Sequence, residues 1–324
     1  MSEENKIISD ETIVDESGQT RVIESIEMLP AKKPPSTMKL FWREMRHDPF
    51  AMVGLVVFIG ILLFLIIASM IIGTEAALAR DLHNRLMAPS WVEGGAPGYI
   101  LGTDPAGRNI FYLLVISGRN SIFLGFSISI ISIIIGVVIG IVSGFYGGHV
   151  DNVVMRIVDT WMMLPSLMIM IVLISMWDTF TMTRFIFLLV AFTWMGRTRL
   201  IRSMALQQRH MDYVAASKTL GTRNVVIIFR EVMPNLVSII MANVVLTMAG
   251  SIGIETGLTL LGYGLPIDSP SLGTLINHAT TPAHLQNRWW LWFPAILMVF
   301  IIMLSINFIG QAVSRAADPQ QRMV

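Results

Sequence analysis

The sequence predicts an all-α polytopic membrane protein with six transmembrane helices. Of its 324 residues, 54% are hydrophobic and only 14% are charged, whereas about one quarter of the residues in an average soluble domain are charged. Several separate charge-free stretches are also long enough to cross a bilayer, which takes about 20 apolar residues in a helix. A soluble core does not require several such stretches, so we place them in a membrane.

Charge and cysteine content exclude several classes of function. The net charge is +1, and a chain without a basic excess cannot neutralise phosphates and release their counterions. Nucleic acid is therefore not an expected partner. The chain contains no cysteine, which excludes disulfides, thiolate metal sites and a cysteine nucleophile.

Residues 1–47 are predicted to form a cytoplasmic tail. Residues 1–31 are polar and acidic, and such a composition buries too little apolar surface to fold alone, so we expect disorder there. A basic stretch follows, with Lys32, Lys33, Lys39, Arg43 and Arg46.

A membrane domain is predicted over residues 48–314. Its six spans cover residues 50–73, 120–148, 153–177, 183–206, 236–261 and 290–313. The first span is too long for a signal peptide, and so is the polar leader before it, although residues 77–79 resemble a cleavage site. The fourth span ends in arginines, whose long side chains can reach the membrane interface.

Spacing within the spans predicts two helix contacts. Small residues recur every four positions on one face of the second span, which lets two helix backbones approach closely in lipid; they are Ser132, Gly136, Gly140 and Gly144. In the third span Arg156 and Asp159 lie three residues apart, so we expect them to pair on one helical face.

The distribution of lysine and arginine predicts the orientation. Cytoplasmic loops of membrane proteins carry an excess of these residues, and most of them share one side of the membrane if the amino terminus is cytoplasmic. Both termini, the loop 207–235 and the tail 315–324 are then cytoplasmic. The loop 75–117, rich in glycine and proline, is extracytoplasmic.

Catalytic signatures are absent from the sequence. It has no His-Glu-x-x-His and no Gly-x-Ser-x-Gly, and we find no convergent nucleophile and base. Residues 102–109 share the glycine spacing of a phosphate-binding loop but lack its lysine and its following Ser or Thr. We therefore expect the chain not to be an enzyme.

The most informative cytoplasmic segment is 211–234. Its first half is predicted to form a short helix that ends at Gly221, since glycine suits the left-handed position after a helix. A second helical stretch over residues 223–231 then leads to Pro234. A helix–Gly–helix hairpin with small residues on one face suits docking into another protein. From the residues alone, an amphipathic helix in the membrane interface is an equal alternative.

This segment resembles the EAA loop of binding-protein-dependent ABC importers, in which Glu-Ala-Ala is followed by a glycine and further on by Leu-Pro. Ala215, Ala216 and Ser217 occupy the triplet, Gly221 the glycine and Met233-Pro234 the final pair. Ala215 thus replaces the Glu of the pattern. The resemblance implies an ATPase-coupling loop formed by Asp212, Tyr213, Ala215, Ala216, Ser217, Gly221 and Pro234.

Three other stretches resemble the C-type permease subunit of oligopeptide and dipeptide importers. Residues 101–109 resemble its Leu-Gly-Thr-Asp-x-x-Gly-Arg-Asp signature, with Asn109 in place of the last Asp. Residues 255–264 resemble its Glu-Ala-Gly-Leu-Ser-Phe-Leu-Gly-Leu-Gly stretch, and residues 307–319 its Asn-x-x-Gly…Asp-Pro ending. The extracytoplasmic motif consists of Gly102, Thr103, Asp104, Gly107 and Arg108.

The resemblance implies a type I ABC importer permease fold within a heteromeric complex. The expected partners are a second homologous permease subunit, two cytoplasmic ATPase subunits and an extracytoplasmic peptide-binding lipoprotein. ATP and magnesium would bind to the ATPases, with no cofactor in this chain. The expected substrate is an oligopeptide or dipeptide, which would cross the membrane between the two permeases.

Two alternatives to peptide import by an ABC complex stay open. Related permeases also serve nickel chelates and other small solutes. A stand-alone secondary transporter would instead show an inverted repeat and ionisable residues at the membrane midplane, and the sequence shows neither.

Glu255 is an ionisable residue inside the fifth span, and such residues are candidates for functional sites. It lies near the extracytoplasmic end of the span and is followed by glycines. We expect a structural hydrogen-bonding role for it rather than proton or substrate binding.

Overall fold

The computed structural model describes residues 8–14, 20–26, 42–43, 45–95, 97–177, 180–266 and 268–317. The chain divides into two units, Met1–Leu40 and Phe41–Val324. In the first unit β1 (Ile8–Val14) and β2 (Thr20–Ile26) form an antiparallel hairpin. This hairpin departs from the disorder predicted for residues 1–31. Both strands contain several Ile, Val and Thr residues, which favour extended structure and which a count of acidic residues overlooks.

The second unit is helical. The described helices are α1 (Pro49–Ile72), α2 (Thr74–Leu78), α3 (Ile110–Tyr146), α4 (Gly148–Met162), α5 (Ser166–Ser175), α6 (Met182–Arg209), α7 (Asp212–Thr219), α8 (Asn224–Ile227), α9 (Met233–Leu260), α10 (Leu272–Ile276), α11 (Pro282–Asn287) and α12 (Phe293–Ala317). A π-helical turn, Ile228–Val232, joins α8 to α9, and the connections hold short 3₁₀ turns at Leu82–Asn84, Asn277–Thr280 and Trp289–Leu291.

Helix α3 is the centre of the bundle. It is 37 residues long, or about 55 Å at 1.5 Å per residue, and it packs against α6, α9 and α1. A β-carbon added at Gly136 would lie 2.6 Å from Cβ of Arg197, and one at Gly144 would lie 2.5 Å from the carbonyl oxygen of Arg202. Since any side chain there would push α3 and α6 apart, the predicted close packing of this face is confirmed.

The remaining long helices complete the core. Helix α9 packs against α12 and α3, and α1 packs against α12 and α3. The largest buried cluster draws apolar side chains from all four of these helices, among them Leu65, Leu113, Ile252 and Ile302. Asp48 caps the first turn of α1 by accepting from the amide of Phe50 at 2.9 Å, and it also pairs with Arg315 near the end of α12. The ends of α1 and α12 therefore lie side by side.

Four described helical stretches are long and apolar enough to cross a membrane: Pro49–Ile72, Ile110–Tyr146, Asn224–Leu260 and Phe293–Ala316. They correspond to the first, second, fifth and sixth predicted spans. The third predicted span is α4 and α5, which are bent by 72° at residues 163–165. Pro165 accounts for the bend, since proline has no amide hydrogen and disfavours the helical conformation in the residue before it. The fourth predicted span is α6. This helix is long enough to cross a membrane, but its arginines make it less apolar than the four stretches above.

The predicted pair of Arg156 with Asp159 is wrong. Asp159 pairs instead with Arg199 of α6, and Asp151 pairs with Arg202 of the same helix, where Nε of Arg202 donates to the Asp151 carboxylate at 2.8 Å. Two arginines in the second half of α6, Arg199 and Arg202, thus have acidic partners on α4. Partners on a packed neighbouring helix cannot be read from spacing along one helix.

Candidate functional site

Helix α7 ends in a left-handed turn at Gly221. The glycine has φ of 77°, the amide of Thr222 donates to the carbonyl of Ser217, and the amide of Gly221 donates to the carbonyl of Lys218. These two bonds define a Schellman motif, which satisfies the free carbonyls of the last helical turn. The conformation predicted for Gly221 is confirmed.

Helix α7 is fixed to the bundle by one face only. Val214 is fully buried in a cluster that includes Phe145 of α3 and Ile201 of α6. The opposite face is open, because Asp212, Ala215 and Ala216 are exposed, and Leu220 after the helix is 86% exposed. Small side chains on this face leave the backbone accessible to a partner.

Polar contacts also connect α7 to the segments that precede and follow it in the chain. The Ser217 hydroxyl donates to the Glu231 carboxylate at 2.8 Å. The Tyr213 hydroxyl donates to Gln208 at 2.6 Å and accepts from Asn235 at 3.2 Å. Burial raises the pKa of the Tyr213 hydroxyl, so it stays protonated and can serve both partners.

The second half of the predicted hairpin is not a separate helix. Helix α8 runs through the π turn directly into α9, and Pro234 lies in the first turn of α9. Pro234, which has no amide hydrogen to donate, lies directly after the π turn, where the helical hydrogen-bond pattern changes. The arrangement is therefore a short exposed helix connected to the extended end of a membrane span.

Residues 102–108 form a compact turn around Asp104. Its carboxylate is buried and accepts from the amides of Ala106 and Arg108, both at 2.8 Å, and from Nε of Arg108 at 2.7 Å. Arg108 is 8% exposed, so both charges are withdrawn from water and neutralise each other. Asn109 then caps α3 by accepting from the amide of Phe111 at 3.0 Å.

The other motif residues are also required by this turn. A β-carbon on Gly107, which has φ of 79°, would lie 1.7 Å from the carbonyl oxygen of Asp81, and one on Gly102 would lie 2.4 Å from that of Met87. Thr103 is buried and accepts from the amide of Met87 at 2.9 Å. The motif is thus a structural turn that begins α3.

Glu255 is fully buried near the end of α9. One carboxylate oxygen accepts from the Ser271 hydroxyl at 2.5 Å and lies 3.1 Å from the Thr259 hydroxyl. Its other oxygen has no hydrogen-bond partner among the described residues. The contact with Ser271 holds the segment that begins α10 against α9, which agrees with the hydrogen bonding expected for Glu255.

A cavity of about 250 Å³ connects two of the predicted motifs. Arg108 of the turn around Asp104 lines it together with Thr259, Gly262 and Gly264 from the stretch that follows Glu255. His278 lines it as well, and burial is the main cause that lowers the pKa of its imidazole. The structure brings these two motifs together, whereas the α7 residues lie at the opposite end of α3. Asp318 and Pro319 of the third resemblance lie outside the described residues.

Sequence reasoning did not identify Glu231, Asn235 or Gln208 as partners of α7. One signal was available, since Glu231 is an isolated acidic residue in a predominantly basic segment and such a residue invites a search for its partner.

Comparisons with known proteins agree with this geometry. Residues 136–322 match the family described as binding-protein-dependent transport system inner membrane component, and residues 36–89 match the N-terminal TM domain of oligopeptide transport permease C. The first match covers the last 11 residues of α3 and every later helix from α4 to α12, and therefore the whole of α7.

Curated relatives resemble the chain over most of its length. The oligopeptide transport system permease protein OppC of Lactococcus lactis subsp. cremoris is 39% identical over 278 residues, which are 86% of this chain and 93% of that protein. The OppC of Bacillus subtilis is 32% identical over 90% of this chain and 92% of its own. The dipeptide transport system permease protein DppC of Haemophilus influenzae is 28% identical over 89% and 96%, respectively. The chain therefore belongs to the family of inner membrane components of binding-protein-dependent transport systems.

Proposed function

We propose that the chain is the permease subunit of an ATP-driven peptide importer, and that it forms the translocation path together with a second, homologous permease. The main observation behind this proposal is α7, whose small exposed face, Ala215 and Ala216, is fixed to the membrane helices by Val214 and Ser217. The printed names of the relatives, which are oligopeptide and dipeptide permeases, favour peptides as the substrate class.

In this proposal α7 occupies a groove on one of two cytoplasmic ATPase subunits. ATP can drive transport only if it binds one state of the complex more tightly than the other. Helix α7 would carry that difference into the membrane, since it contacts α6 and α9 through buried and polar contacts. An extracytoplasmic peptide-binding lipoprotein would deliver the substrate to the opposite side.

The first test concerns the α7 surface. Ala216→Trp places a large side chain on an exposed position, so the chain itself should fold, while the groove of the ATPase should no longer close around α7. We expect the ATPase subunits to be lost on purification in mild detergent and peptide uptake to vanish. The matched control is Ala76→Trp, also exposed but in α2, and it should retain both. Normal uptake by the Ala216 variant would contradict the proposal.

The second test concerns orientation, because α7 must face the cytoplasm. The chain has no cysteine, so a thiol reagent can label this chain only at a cysteine introduced by mutation. An impermeant thiol reagent should label Ser90→Cys in intact cells and label Thr219→Cys only after lysis, since both positions are exposed. The reverse pattern would place α7 outside and would contradict the proposal.

Substrate class is tested by competition in proteoliposomes that contain the complete transporter. Unlabelled oligopeptides should compete with a radiolabelled peptide, and a nickel chelate should not. Competition by the chelate alone would favour the alternative solute while leaving the ATP-driven permease role in place.

A further inference from the structure

An exposed aromatic cluster joins the loop 89–100 to the beginning of α12. The rings of Trp91 and Trp289 lie 5.6 Å apart, and Trp289 contacts Phe293 at 6.3 Å in an edge-on arrangement. Nε1 of Trp91 donates to the carbonyl of Ile100 at 2.9 Å. The indole is therefore held in place although its side chain is 63% exposed. Single exposed apolar side chains are common, but a contiguous exposed cluster of aromatic rings indicates a contact outside this chain.

The position of the cluster along α12 sets its depth in a membrane. Arg315, paired with Asp48, marks one membrane surface, because the charged pair lies at the ends of two spans. Phe293 precedes Arg315 by 22 positions in one continuous helix, which amounts to about 33 Å. Since the hydrocarbon core of a bilayer is about 30 Å thick, Phe293 lies at its opposite boundary. Trp289 and Trp91 then lie at the level of the lipid headgroups.

The cluster is also continuous with an exposed apolar stripe on α12. Phe293, Leu297, Phe300 and Leu304 are between 40% and 61% exposed, and their spacing of four, three and four residues places them on one side of the helix. An exposed apolar stripe on a membrane span is suited to contact with lipid tails, which are as apolar as its side chains. Trp289 and Trp91 extend it beyond the hydrocarbon region.

We propose that the Trp91–Trp289 pair anchors the loop 89–100 to the phospholipid interface of the leaflet opposite Arg315. Indole rings favour this zone because they combine a large apolar ring with a polar edge. The loop carrying Trp91 leads into the turn around Asp104, which begins α3. The anchor thus fixes the extracytoplasmic turn relative to the membrane surface. This inference requires only a membrane-embedded chain and does not rest on the substrate.

Spin labelling of single cysteines in the assembled transporter, reconstituted into phosphatidylcholine and phosphatidylglycerol vesicles, tests the proposal. Labels are placed by Trp91→Cys, by Phe300→Cys as a reference within the bilayer and by Glu93→Cys as a reference in the same loop. Collisions with oxygen, which concentrates in lipid, are compared with collisions with a water-soluble nickel complex. We expect the ratio of oxygen to nickel collisions at position 91 to lie between those at positions 300 and 93.

Three results of this measurement would overturn the proposal. A label at position 91 with the same ratio as position 93 would place Trp91 in water. Protection from both reagents would mean that the second permease covers the cluster, and protection only after addition of binding protein would make it a docking surface for that protein.

If labelling at position 91 disturbs assembly, Trp91→Phe gives a second measurement. Brominated lipid should quench less of the total tryptophan fluorescence in this variant than in the parent, and equal quenching would also overturn the proposal.

Discussion

Ser217 of α7 and Glu231 of the turn before α9 are joined by a hydrogen bond of 2.8 Å from hydroxyl to carboxylate. The first residue belongs to an exposed helix and the second to the extended end of a membrane span. A force on α7 therefore reaches α9 through a polar contact, in addition to the apolar contact that Val214 makes with α3 and α6.

Removal of this hydroxyl should loosen α7 without unfolding the chain. Hydrogen bonds to charged groups contribute about 1.5–3 kcal/mol when buried, and we expect roughly 1 kcal/mol here because both residues are half-buried. Ser217→Ala should raise amide hydrogen exchange in residues 212–219 and reduce peptide uptake. Thr219→Ala is the matched control, since the Thr219 hydroxyl bonds only within α7, to the carbonyl of Ala215. Equal exchange in the two variants would show that the Glu231 contact does not hold α7.

The left-handed conformation of Gly221 makes a second prediction possible. Among the described residues, no atom lies within 4 Å of a β-carbon added at Gly221, so a substitution there acts through backbone strain. That strain is about 1–2 kcal/mol for most residues and smaller for asparagine. Gly221→Val should therefore uncouple ATP hydrolysis from uptake, whereas Gly221→Asn should retain most of the uptake.

The control for Gly221 is Gly196→Ala, which lies within α6 and also has open space around it, but without a positive φ. It should transport normally. Uptake by the Gly221→Val variant at the level of the control would refute a role for the turn.

The buried pair of Asp104 and Arg108 should be a major contribution to stability. Asp104→Asn leaves the Arg108 guanidinium buried without a counter-charge, and breaking a buried pair costs about 3–5 kcal/mol. We expect a clear fall in the thermal unfolding midpoint of the purified complex. Asn109→Asp should leave the midpoint unchanged, because both residue types cap helices equally well. A midpoint that falls in the control and not in Asp104→Asn would reverse this interpretation.

Glu255 should tolerate a neutral isostere. Glu255→Gln retains an oxygen that can accept from Ser271, so uptake should stay within a few-fold of the parent and its pH profile should not change. Glu255→Leu removes the acceptor and leaves the Ser271 hydroxyl buried without it, so it should lower both complex yield and uptake. Loss of uptake in the Gln variant, with assembly and ATPase activity intact, would identify the carboxylate as a proton-coupling or substrate-binding group.

The positions of the long helices could be predicted from the sequence, but not their ends. Absence of charge locates a membrane span, whereas a helix ends where its caps are. Helix α3 thus begins at Ile110, after the Asn109 cap, rather than at residue 120, because it continues past Arg119. The bend at Pro165 was also missed, since a count of apolar residues is blind to a single proline within them.

The candidate site was predictable in its conformation and less so in its contacts. Gly221 and the small stripe of α3 follow from local rules on left-handed turns and close packing. The partners of Asp159 and Ser217 come from other helices, 40 and 14 residues away in the chain, respectively. The spacing of residues along one helix cannot predict which residue of another helix will be the partner.

The glycine face of α3 has a mechanical consequence. The small residues of α3 bring the backbones of α3 and α6 into direct contact from Gly136 to Gly144. Because of this contact, we expect the two helices to move as one unit. Helix α6 leads into α7 at one end, and α3 begins at the Asp104 turn at the other. A small tilt of the helices imposed at α7 would then displace that turn, which lies at the other end of α3, about 55 Å away. Neither helix would need to change its own structure.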